Sequence, residues 1–74
     1  LNSHQLYDKL KEHHEFERRL MDMVALREEA RTSCSPSEAG KLGQEVLALH
    51  QRLGRCRKAI SSIEIEIERS EKIK

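Results

Sequence analysis

Four histidines (His4, His13, His14, His50) and two cysteines (Cys34, Cys56) are the side chains of this 74-residue chain that could ligate a metal or form a disulfide. A zinc site needs about four ligands converging tetrahedrally, and no CxxC or HxxxH spacing supplies them. The expected reading is a tolerated polar layer, with no metal and no other cofactor. Arg52, Arg55, Arg57 and Lys58 form a basic knot, followed by Glu64, Glu66, Glu68 and Glu71. On a helix the four cations spread around the solvent side. Without aromatic stackers or a recognised nucleic-acid fold, they read as a solvated or partner-facing band, and nucleic acid is not expected as a partner. Ser35 precedes Pro36, the dipeptide that proline-directed phosphorylation would use, although a helix-capping role accounts for it unmodified. No glycine-rich phosphate loop and no nucleophile beside a base is present, so catalysis is not expected.

Composition narrows the architecture. Fourteen basic and thirteen acidic side chains nearly cancel, leaving no strong overall field. One Phe, one Tyr and no Trp argue against a compact globular core. No apolar run is long enough to cross a membrane and no signal-peptide pattern opens the chain, so neither a membrane nor export is expected, and the cytoplasm is.

Periodicity supplies the elements. Ala39, Leu42, Val46, Leu49, Leu53, Cys56, Ile60, Ile63 and Ile67 alternate by three and four, the spacing of a coiled-coil seam. Ser35-Pro36-Ser37-Glu38 reads as the start of this helix, with a capping serine, a proline at the first position and a glutamate reaching back. The alternating stretch Ser62 to Glu68 has the period of a strand too, but the heptad frame runs through it and favours helix. The first half is less regular: Leu6, His13, Leu20 and Arg27 fall at a, Phe16, Met23 and Ala30 at d, and Lys9 breaks the d row. Asn2 or Ser3 is its expected N-cap. The spacing predicts one helix over about 3–31, a turn over about 32–35 and a second helix over about 36–73.

A short turn folds the two back as antiparallel neighbours. With Ala30 facing Ala39, the layers become Arg27–Leu42, Met23–Val46, Leu20–Leu49, Phe16–Leu53, His13–Cys56, Lys9–Ile60, Leu6–Ile63 and Asn2–Ile67. The fold class is therefore all-α: an antiparallel two-helix coiled-coil hairpin about 55 Å long, able to dimerise into a four-helix bundle. A parallel coil built on the second helix alone is the competing arrangement. In the hairpin Cys34 and Cys56 lie about 30 Å apart, far beyond disulfide reach, with Cys34 an exposed thiol. Arg27 is expected to lay its stem over Leu42 and send its head to Glu28, Glu38 or Glu45.

Aliphatic residues outside the seam mark a second contact surface: Leu10, Val24 and Leu26 on the first helix, Leu47, Ile65 and Ile73 on the second. These are the candidate partner-binding positions. In outline the hairpin resembles the regulatory antiparallel coiled coils of some kinesin motors, and is equally similar to helical-hairpin effectors of small GTPases. The first resemblance implies an interaction or autoregulatory segment of a larger intracellular protein, such as a cytoskeletal motor or scaffold, with a protein or another part of the parent chain as partner. The second implies a GTPase partner. Homo-oligomerisation through Leu10, Val24 and Leu26 is the remaining expectation.

Overall fold

The computed structural model describes residues 2–72. Two helices, α1 (Ser3–Arg31) and α2 (Pro36–Lys72), pack antiparallel as the expected hairpin, with no strand among the described residues. The rod measures 59 × 14 × 14 Å.

Local chemistry sets the ends. Asn2 caps α1: its side chain accepts from the Gln5 amide at 2.8 Å while Gln5 Oε1 accepts from the Asn2 amide at 3.2 Å, satisfying two amides that the helix leaves over. At the turn the Thr32 hydroxyl donates to the Glu29 carbonyl at 2.7 Å, and the Ser33 amide donates to the Ala30 carbonyl at 3.3 Å. The Ser35 carbonyl accepts from the Glu38 and Ala39 amides and begins the α2 ladder. Its hydroxyl lies 3.1 Å from that of Ser37, so the side-chain capping box expected between Ser35 and Glu38 is replaced by a hydroxyl pair. Cys34, expected as an exposed thiol, is half-buried and donates to the Arg31 carbonyl at 3.5 Å.

The α2 seam is as the heptads require. Val46, Leu49, Leu53, Ile60, Ile63 and Ile67 are buried, and Cys56 is half-buried. They form two apolar clusters, Leu6 with Ile63 and Ile67 at the open end, and Leu20 with Leu49 and Leu53 in the middle. Between the clusters the Cys56 thiol donates to the His13 carbonyl at 3.3 Å, matching the expected His13–Cys56 layer. Three glycines interrupt α2, yet a Cβ at Gly54 would meet nothing within 4 Å. Gly54→Ala is therefore expected to raise stability by up to about 1 kcal/mol, seen as a higher thermal midpoint.

Helix α1 departs from the expected frame. Lys9 and Phe16 were expected in the d row; both are exposed, Phe16 at 40%. Leu10 packs on the Leu6 cluster and Val24, with Met23, on the Leu20 cluster. The inward line is Leu6, Leu10, His13, Glu17, Leu20, Val24 and Arg27, itself a run of fours and threes. Burying the Lys9 ammonium without a partner is costly, whereas turning the helix by a fraction of a residue presents Leu10 to the same apolar layer. Phe16 lies seven residues from Lys9, on the same stripe, and turns out with it.

Candidate nucleic-acid interface

Two faces run along the rod, and the ion pairs between the helices tell them apart. On one, Glu17 accepts from Arg57 Nε at 2.9 Å and lies 3.3 Å from His14 Nδ1. Those bonds favour the carboxylate and hold Glu17 below its ordinary range, the Arg57 bond contributing most. A depressed carboxylate stabilises the fold above its unfolded-state titration range, and that contribution is lost as pH falls through the folded one. Wild type and Glu17→Gln should thus differ in thermal midpoint near neutrality and converge in acid, below the ordinary glutamate range. At the open end the Tyr7 hydroxyl donates to Glu71 at 2.9 Å; this bond, with burial and the neighbouring charge, raises the phenol's pKa.

The other face is an open groove. It is lined by His13, Phe16, Leu20, Arg52, Arg55, Cys56 and Ala59, and continues past Met23 and Ala48 to Arg27. Arg27 closes that end: its Nε donates to Glu45 at 3.2 Å and its Nη1 to the Met23 carbonyl at 3.3 Å, one of the destinations expected for it. The Arg19 guanidinium sits over the Phe16 ring, 5.4 Å from its centroid, and the His13 ring meets that of Phe16 edge-on at 5.9 Å. Arg19, Arg52 and Arg55 are exposed and pair with no carboxylate among the described residues. Residues 50–58 contain no acidic side chain. The groove thus combines three unpaired guanidinium groups with a half-exposed aromatic ring.

The model of the family described as primosomal replication protein priC matches residues 1–71 of the chain. The chain belongs to this family. No curated protein and no solved structure matches it. Family membership overturns the expectation of a cytoskeletal, regulatory or GTPase-binding segment, which rested on hairpin shape alone, a shape that unrelated coils share. It also overturns the exclusion of nucleic acid, since a primosomal replication protein works on DNA. The exclusion had two physical flaws. Near-neutral net charge says nothing about local segregation of charge, and Phe16 was counted as core, so no aromatic stacker remained.

The basic knot does spread, as expected: Arg57 belongs to the Glu17 face, while Arg52 and Arg55 line the groove. What sequence reasoning missed is that α1 supplies the aromatic and the third arginine. The spacing Phe16-x-x-Arg19 beside a broken d row was the available signal. Of the aliphatic candidates, Leu10 and Val24 are half-buried against the core clusters, while Leu26, Leu47 and Ile65 are 63%, 60% and 49% exposed. The structure does not gather those three into one site, and Ile73 lies outside the described residues.

Proposed function

We propose that this chain is a non-catalytic DNA-binding element acting in replication, and that single-stranded DNA lies along the Phe16 groove. The observation that carries this reading is Phe16 itself: an aromatic turned out of the core, with Arg19 over its ring, on a face where Arg52 and Arg55 are free. Single strands are bound in this way, by bases stacking on aromatic side chains while cations follow the phosphates. A duplex offers no unstacked base to one protruding ring, so the strand is the better fit. The groove is shallow and open, which suits a ligand that passes along it rather than one that is enclosed. Replication of DNA takes the protein to the cytoplasm of a bacterial cell. Leu26, Leu47 and Ile65 remain exposed on this rod for a protein partner.

The test is fluorescence anisotropy of a labelled short oligothymidylate over a salt series. Binding should weaken as salt rises, and Arg52→Gln or Arg55→Gln should each flatten the log–log slope by about 0.7. An absence of binding at low salt, or a slope that neither substitution changes, would overturn the proposal.

A further inference from the structure

His13 occupies a place in the groove that its role as a seam residue does not explain. It is half-buried between the helices, its carbonyl accepts the Cys56 thiol at 3.3 Å, and its ring stands edge-on to Phe16 at 5.9 Å, interplanar angle 77°. Its Nδ1 lies 2.8 Å from the Lys9 carbonyl. A carbonyl only accepts, so Nδ1 carries the hydrogen and the neutral ring keeps its lone pair on Nε2. The proton that His13 can gain is therefore on Nε2, and gaining it leaves the bond to Lys9 intact.

The charged groups around the ring come from both helices. On α1 they are Lys9, one turn before it, and Glu12, His14 and Glu17, with Glu17 engaged by Arg57 and His14. From α2, Arg52, Arg55 and the Cys56 thiol share the groove wall with it. In the free protein the unpaired cations Lys9, Arg52 and Arg55 oppose a further positive charge here. A polyanion laid in the groove neutralises them and adds its own negative charge, which reverses the preference. Imidazole is the side chain that ordinarily changes charge between pH 5 and 8, so this reversal falls in an accessible range.

We infer that His13 is a proton-coupled positioning residue of the interface: binding of a single strand drives a proton onto Nε2, and the imidazolium edge then steadies the Phe16 ring on which a base stacks. A cationic edge against a ring face is attracted more strongly than a neutral one, so protonation favours the stacking geometry. Binding energy and proton uptake become linked, and affinity rises as pH falls. This inference rests on the DNA-binding reading above and goes beyond it by assigning a residue and a proton to the interface.

Calorimetric titration with oligothymidylate near pH 6 and pH 8, in two buffers of different ionisation heat, counts the protons taken up. Wild type should bind about three-fold more tightly at the lower pH, with net uptake of a fraction of a proton. His13→Asn, which keeps a donor for the Lys9 carbonyl but cannot charge, should lose both effects, whereas His14→Gln should keep them. A measurement on wild type alone guards against a variant that misfolds. At fixed pH, the His13 ring signals in the NMR spectrum should move toward the protonated form when oligonucleotide is added. If wild type binds equally at both pH values, or His13→Asn retains the dependence, the inference is overturned and the DNA interface stands. If wild type binds at neither pH, the DNA-binding reading itself has failed.

Discussion

Replacing Phe16 by alanine should weaken binding to a short oligothymidylate by about tenfold or more, while the hairpin melts at nearly its original temperature. A base stacked on an aromatic side chain contributes about 1–3 kcal/mol as judged by truncation to alanine, and about 1.4 kcal/mol is a factor of ten. The same ring adds little to the fold, because at 40% exposure it stands beside the core rather than in it. That separation makes the experiment informative: anisotropy reads the affinity and circular dichroism the stability, and only the first should move. Phe16→Trp, which enlarges the stacking surface, should hold or improve affinity. Arg19→Leu should fall between wild type and Phe16→Ala, since it removes a phosphate-seeking charge and the cation over the ring. An unchanged affinity for Phe16→Ala would show that the ring does not stack on DNA.

The second large effect concerns the fold. Leu53 is 4% exposed and belongs to the middle cluster with Leu20 and Leu49. Truncating a buried leucine to alanine costs about 2–5 kcal/mol, the transfer term of the lost methyl groups adding to the cavity left behind. A single core in a chain this small supplies only about 3–5 kcal/mol of net stability. Leu53→Ala is thus expected to leave the isolated hairpin largely unfolded at room temperature, with its helical circular dichroism signal reduced and its melt no longer cooperative. Leu47→Ala is the control. Leu47 is 60% exposed on the outside of the same helix, and its loss should change stability by no more than about 0.5 kcal/mol. Equal effects at the two positions would mean that the chain assembles through the outer stripe of α2 rather than through the seam.

Helix α2 was legible residue by residue. Its threes and fours run unbroken from Ala39 to Ile67, and each large aliphatic of that row from Val46 onward is buried. A strict seam leaves one way to face a partner, because any other rotation exposes several aliphatics at once. The short turn fixed the antiparallel sense, and the Leu6–Ile63, His13–Cys56 and Leu20–Leu49 layers follow from counting back from it. The candidate interface was half legible. Its α2 arginines stood out as a cluster, but their use could not be read while Phe16 was assigned to the core.

The sequence by itself determined two helices, their turn, their antiparallel sense, the whole inward face of α2 and the hairpin's length. Only the tertiary structure decided how α1 is rotated about its own axis. Its apolar face is wide enough to offer two stripes, Lys9–Phe16–Met23 and Leu10–Glu17–Val24, about 100° apart on the helix. Helical periodicity alone ranks them equally. Packing does not: the Ile63–Ile67 layer accepts Leu10 and excludes the Lys9 ammonium, and Glu17 finds Arg57 across the opposite edge. That rotation turns Phe16 and Arg19 toward Arg52 and Arg55, residues more than thirty positions away in the chain. The interface exists because a lysine cannot be buried cheaply in a thin aliphatic seam, a fact about α1 that becomes decisive only when α2 is packed against it.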